Sequence, residues 1–163
     1  MSAERDAFIA KYKNDVISAT EGTGIFPSVA MAQMIIESAN SQGQAGQGIT
    51  FRKANNAFGI KANSAWTGDK IAFSTPNDGQ PISYFRVYPS IKDSIKDHAK
   101  FLQVNSRYKT NGVFTAKTPH EQAYALAKAG YSEKPFPLYA YGIIAMIKGY
   151  NLESLDSEAK KKS

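Results

Sequence analysis

Between Phe26 and Asn40 the chain reads FPSVAMAQMIIESAN, and from Ser28 to Ile36 no residue carries a charge. Pro27 suits a first helical position, where its missing N–H costs no bond. Val29, Met31, Ala32, Met34, Ile35 and Ile36 then place apolar groups on almost every side of the helix. A helix of that kind is stable only when enclosed by the rest of the domain, so the chain must wrap other elements around it. One carboxylate, Glu37, falls in its last turn, on the same stripe as Ala30, Gln33 and Met34. Poor solvation disfavours the ionised form of such a group and holds its proton to higher pH, which is what a general acid requires. The same pattern also describes a carboxylate that faces water at a helix end or answers a lysine.

The 163 residues suffice for one domain with a full hydrophobic core, and the 42% apolar and 12% aromatic content is that of a globular protein. Cysteine is absent, so disulfides and thiolate metal sites are excluded. The two histidines, His98 and His120, have no zinc-ligand spacing, and neither metal nor other cofactor is expected. The N-terminal MSAERDAFIAKYKND starts with charge and holds no apolar run long enough for a signal-peptide core, and no stretch approaches a membrane span. The expectation is a soluble product made in the cytoplasm, without stable membrane insertion. A net charge of +6 favours an anionic partner, either nucleic acid or an acidic polymer such as a bacterial wall. The basic residues are scattered and form no recognised nucleic-acid module, so no nucleic-acid partner is expected. Residues 156–163, ending EAKKKS, read as a solvated, disordered tail behind a domain spanning 1–155.

Along the chain, Phe8, Ile9, Tyr12, Val16 and Ile17 recur at helical spacing and predict a helix over 4–19, broken by Glu21-Gly22-Thr23-Gly24. The SQGQAGQG run at 41–48 reads as a surface loop or a mobile lip, and NNAFGIKANSAW at 55–66 as a structured loop. Short β-branched or aromatic runs at 69–75 and 82–88 flank Asn77-Asp78-Gly79, a strong turn signal, and predict a β-hairpin. Its second arm alternates, with Ile82, Tyr84, Arg86 and Tyr88 on one face and Ser83, Phe85 and Val87 on the other. Ser90 with Asp93 opens a helix expected to run to about Asn105. Thr118, Pro119 and Glu121 open another, which Gly130 closes. A last helix follows Pro137, with Leu138, Tyr141, Ile144, Ala145 and Ile147 expected inward. The segment GYSEKPFPLY before it is too rigid and aromatic for an idle linker.

Several stretches occur together in one order: residues 31–38 (MAQMIIES), 55–61 (NNAFGIK), Trp66 with Gly68, 85–90 (FRVYPS), Asp97-His98 with Phe101-Leu102 and Arg107-Tyr108, and AGYSEKPFPLYA leading to KGYNL. As a set they resemble the peptidoglycan N-acetylglucosaminidases of glycoside hydrolase family 73, over roughly residues 26–152. The resemblance implies a mainly α, lysozyme-like domain with a small β-hairpin lobe beside the cleft, and hydrolysis of the β-1,4 bond after N-acetylglucosamine in peptidoglycan. It makes Glu37 the general acid and Tyr131 a tyrosine beside the reacting sugar. Phe58, Trp66 and Tyr139 look like cleft residues able to stack on sugar rings, and Asn56 like a partner for acetamido or hydroxyl groups; Phe58 and Trp66 also read as structural. Many members of the family carry a threonine–glutamate pair where this chain has Ser74-Thr75-Pro76-Asn77-Asp78. Asp78 is the best substitute for that second carboxylate, although its Asn-Asp-Gly setting also reads as a plain turn. The departure leaves room for a route in which the substrate's own acetamido oxygen attacks the anomeric carbon, with Tyr131 orienting it. The expected setting is a monomeric phage lysin freed from the cytoplasm by a membrane-permeabilising partner, or a virion component. A muramidase or lytic transglycosylase on the same scaffold, and a non-catalytic wall-binding module, are the competing readings.

Overall fold

The computed structural model of the chain describes residues 2–74, 79 and 81–162. Asp78 and most of the turn predicted around it lie outside the described residues.

The first helix, α1 (Ala3–Thr20), starts at Ser2, whose side chain accepts from the Arg5 N–H, and buries Phe8, Val16 and Ile17. Gly24, at φ +83° with Phe114 packed where a Cβ would stand, helps turn the chain into α2 (Pro27–Glu37). Nine of the eleven residues of α2 are buried. The charge-free segment is therefore the central helix, packed against α1, α6 (Pro119–Lys128), α7 (Phe136–Gly149) and α8 (Glu153–Lys162).

The N-terminus of α2 has no cap of its own, because Phe26 at that position offers no side-chain acceptor. Asp156 of α8 takes the role from across the fold. Its Oδ1 accepts from the Ser28 N–H at 2.9 Å and its Oδ2 from the Ser28 hydroxyl at 2.6 Å. A carboxylate there satisfies otherwise orphaned donors and complements the positive end of the helix. The terminal segment expected as a disordered tail is thus a helix, with Leu155 buried and its lysines gathered in the last turn. Two leucines and one aspartate were too faint a pattern to announce it.

After α2, Asn40 accepts from the N–H groups of Gln42 and Gln44, so the Gly- and Gln-rich loop is tightly folded. It leads into α3 (Ile49–Ala54), which the sequence did not announce. The β-lobe is smaller than the predicted hairpin: β1 (Lys70–Ile71) pairs antiparallel with β2 (Phe85–Arg86), Lys70 opposite Arg86 and Ile71 opposite Phe85. Residues 60–62 run alongside β2 through bonds from Arg86 N to Ile60 O and from Ala62 N to Tyr84 O. They line the edge of β2 opposite β1, so β2 is flanked on both sides.

The alternation expected in the second arm is clearest at Arg86 and Tyr88, both buried. The Arg86 guanidinium donates to Asp97 Oδ2 at 2.8 Å, and the Tyr88 hydroxyl donates to the same oxygen. Asp97 belongs to α4 (Ile91–Val104), so this pair fastens the lobe to the helical body. Short α5 (Ser106–Thr110) follows and buries Tyr108.

The caps predicted at Ser90 and Thr118 are present, each accepting from the N–H three residues on. In α7 the buried face consists of Tyr139, Ala140, Ile143 and Ile147, whereas Leu138 and Tyr141 are 59% and 55% exposed. Of the residues expected inward Ile147 is buried, but the rest of that face is rotated, because apolar side chains occupy nearly every position of this helix. Periodicity then cannot select a side.

Candidate active site

Glu37 stands at the C-terminal end of α2, half-buried, where carbonyl groups present the negative pole of the helix. Burial is the dominant influence on it and raises its carboxyl above the ordinary carboxylate range. A hydrogen bond from Tyr139 and the positive charge of Lys134 pull the other way, more weakly. The Tyr139 hydroxyl lies 3.3 Å from Glu37 Oε1 and accepts from Gln33 Nε2 at 3.1 Å. Gln33 is one helical turn before Glu37 and fully buried.

Tyr131 comes from the segment between α6 and α7. Gly130, at φ +80°, makes the reversal that sends it back toward α2. Its ring stacks on Tyr139 with centroids 5.6 Å apart and planes 20° from parallel, and meets His98 edge-on at 5.8 Å. His98 in turn stacks on Phe58 at 3.8 Å. Burial raises both tyrosine hydroxyls well above the usual phenol range, and the nearby Glu37 charge adds to it. Both therefore stay neutral at any working pH and can donate a proton in a hydrogen bond. Burial likewise pushes the His98 imidazole down to about 3, so it is uncharged.

The structure thus brings Glu37, Tyr131 and Tyr139 together, with Phe58 behind them across His98. Phe58 is 4% exposed and lies in the core. Asn56, expected at the edge of a sugar, is fully buried. Its Nδ2 donates to the carbonyls of Ile60 and Arg86, and its Oδ1 accepts from the Ile60 N–H, so its amide joins the 55–60 loop to β2. Trp66 belongs to the β-lobe. Its indole N–H donates to the Asp69 carbonyl, its ring lies 4.7 Å from the Arg86 guanidinium, and its edge meets Tyr88 at 5.6 Å. The Asp97 carboxylate, in the matching Asp97-His98 stretch, is taken by Arg86 and Tyr88.

Sequence reasoning gave no role to Gln33 or Lys134, and named His98 as a poor metal-ligand candidate and as part of the matching Asp97-His98 stretch without giving it a place at the site. A glutamine inside an otherwise charge-free, enclosed helix was the available signal, since a buried amide needs a partner. Among the described residues no three His, Asp or Glu side chains group in a way that could hold a metal ion, and no helix is long and apolar enough to cross a membrane.

A mainly helical domain with a small antiparallel lobe, built around a sheltered carboxylic acid at the end of its central helix, is that of the lysozyme-like glycoside hydrolases. Comparison with known proteins gives the family: the model described as "Glucosaminidase: Mannosyl-glycoprotein endo-beta-N-acetylglucosaminidase" matches residues 13–152. The chain belongs to this glucosaminidase family, glycoside hydrolase family 73.

Among its curated relatives, the peptidoglycan hydrolase FlgJ of Vibrio cholerae is 31% identical over 136 residues, covering 80% of this chain and 40% of the relative. The exo-glucosaminidase LytG of Bacillus subtilis is 31% identical over 161 residues, covering 94% and 54%. The chain spans about half the length, or less, of these relatives. Of solved structures, the catalytic domain of the Listeria monocytogenes autolysin Auto superposes with a TM-score of 0.75 at 25% identity, covering 96% of this chain and 89% of that one. The glycoside hydrolase domain of Salmonella typhimurium FlgJ does so with 0.69 at 27% identity, covering 99% and 95%.

Proposed function

We propose that the domain hydrolyses the β-1,4 bond after N-acetylglucosamine in bacterial peptidoglycan, with Glu37 as the general acid. The observation that carries this reading is the state of Glu37: a half-buried carboxyl whose burial raises its proton affinity, beside two tyrosines that stay neutral. The relatives named as peptidoglycan hydrolases and glucosaminidases support the choice of substrate, and the +6 charge suits an anionic wall polymer.

In the first step the Glu37 proton passes to the glycosidic oxygen as the C1–O bond breaks, and the bond's electron pair leaves with that oxygen. The acetamido carbonyl oxygen of the same sugar bonds to C1 from the opposite face, with the neutral Tyr131 hydroxyl orienting it. Glu37, now ionised, then takes a proton from the water that adds to C1, and the acetamido group is restored. Asp78 as a second carboxylate, activating water directly, is the alternative within the same function. We place the enzyme in phage lysis or in a virion, acting as a monomer.

Glu37→Gln should lower the release of sugar ends from purified peptidoglycan by roughly a hundredfold or more, with folding and wall binding retained. New N-acetylglucosamine reducing ends are expected from the native enzyme. N-acetylmuramic acid ends or anhydro sugars would assign it instead as a muramidase or transglycosylase, and full activity in the Gln variant would leave a binding module. Asp78→Asn in the same assay separates the two routes: near-native turnover favours the acetamido nucleophile.

A further inference from the structure

A carboxylic acid has two oxygens, and an acid catalyst works only if its proton is on the one that faces the substrate. We propose that Gln33 is a positioning residue which, acting through Tyr139, keeps the transferable proton of Glu37 on Oε2. This rests on the reading of Glu37 as the general acid.

The Gln33 side-chain nitrogen lies 3.1 Å from the Tyr139 oxygen, and an amide nitrogen can only donate. The phenol oxygen accepts there, which leaves its single hydrogen to point elsewhere. Glu37 Oε1, 3.3 Å away, is the acceptor on the other side. An oxygen that receives a hydrogen bond from Tyr139 is the carbonyl-type oxygen of the protonated acid, so the proton sits on Oε2. When it leaves for the glycosidic oxygen, negative charge spreads onto Oε1, and the long bond from Tyr139 becomes charge-assisted and stronger. The interaction therefore gains strength as the reaction proceeds, which is the condition for lowering a barrier.

Burial makes the direction of this relay consequential. Gln33 is 0% exposed and Tyr139 3%, so neither has water as a substitute partner. Among the described residues Gln33 Oε1 has no hydrogen-bond partner, and the amide bonds to Tyr139 through its nitrogen. Turned over, the amide would present its oxygen to Tyr139, capture the phenol hydrogen and leave Glu37 Oε1 facing a lone pair. Amide orientation is thus the variable that an experiment must read. The other groups acting on this pair are few. Lys134 bears on Glu37, while Tyr131 and Tyr108 bear on Tyr139 or stack against it. Neutral His98 lies behind Tyr131, and Asp156 of α8 is at the far end of α2.

The test is a double-mutant cycle on peptidoglycan turnover with full pH–rate profiles, using Gln33→Leu, Tyr139→Phe and the pair, with thermal melts as the control for folding. Each single variant should lower kcat by about tenfold with KM within about twofold, and the pair should be no worse than the weaker single variant within about twofold, because one acts through the other. A general acid is active while protonated, so its rate falls as pH rises through its pKa. Tyr139 donates to Glu37 and favours the ionised form, so Tyr139→Phe should move that falling limb to higher pH.

A shift of the limb to lower pH would mean that Tyr139 accepts from Glu37, and would overturn the proposal. So would losses that multiply in the pair, or a Gln33→Leu effect confined to the melting temperature. The direction read from Tyr139→Phe stands even if Gln33→Leu does not fold. Glu37→Gln with native activity would instead remove the reading on which the proposal rests.

Discussion

His98 is enclosed by Phe58 on one side and Tyr131 on the other, 1% exposed, and its Nε2 has no hydrogen-bond partner among the described residues. The folded protein holds this imidazole uncharged down to about pH 3, whereas in the unfolded chain it takes a proton near its ordinary value of 6.5. Between those limits the unfolded state binds the extra proton, so stability is full above about pH 6.5 and declines as pH falls. One proton gives a slope of up to about 1.4 kcal/mol per pH unit. His98→Leu should flatten this dependence, which denaturant titrations at pH 7, 5.5 and 4.5 would show as a native-minus-variant difference that changes with pH.

At this scale the sequence was legible where a side chain had one plausible use. Glu37 was a lone charge in an enclosed helix, and burial acts on it as the pattern implied. Asn56 was not legible, because two amide donors and an acceptor suit the carbonyls of Ile60 and Arg86 as well as they suit a sugar. Aromatic side chains posed the same difficulty: nothing in the order of residues distinguishes Phe58 in the core from Tyr139 on the acid.

Among the helices, α2 depends on α8 for its beginning. Asp156→Ala removes both acceptors at Ser28 and should destabilise the domain by about 1–2 kcal/mol, the usual loss for a helix cap, without altering the fold. Urea unfolding of the variant beside the native protein measures it. Helices with their own caps were readable in advance, as at Ser90 and Thr118, because the signal and the structure are local. The helix α8 was not, since what orders it is a partner more than a hundred residues away in the chain. Nor could the inward side of α7 be read, where Tyr139 faces Gln33 while Leu138 and Tyr141 face outward; apolar residues on every side leave that choice to the neighbours.

For the molecule as a whole, the one ion pair that joins the β-lobe to the helices among the described residues is Arg86–Asp97, both largely withdrawn from water, and Tyr88 adds bonds to Asp97 and to the Ala54 carbonyl. Asp97→Ala would leave the Arg86 charge buried without its partner, at a cost of roughly 3–5 kcal/mol. The lobe should loosen before the helical body does. Trp66, the only tryptophan, lies over Arg86 and provides a fluorescence signal confined to that region. An early fluorescence change during heating, ahead of the loss of helical circular dichroism, is the expected result; coincident transitions would mean that lobe and body unfold as one. The order of the parts was visible in the chain, but this fastening joins a strand residue to a helix residue and had no local mark.

Because nine of the eleven residues of α2 are buried, this helix has almost no side on which variation is harmless. Its freedom to diversify is therefore small, whereas exposed side chains such as Ser41, Gln42 and Gln47 after it, and Ser64, Ala65 and Thr67 near Trp66, can change without disturbing the centre. Substitutions that the fold tolerates should therefore concentrate on those exposed positions, while the helix that ends in Glu37 admits few.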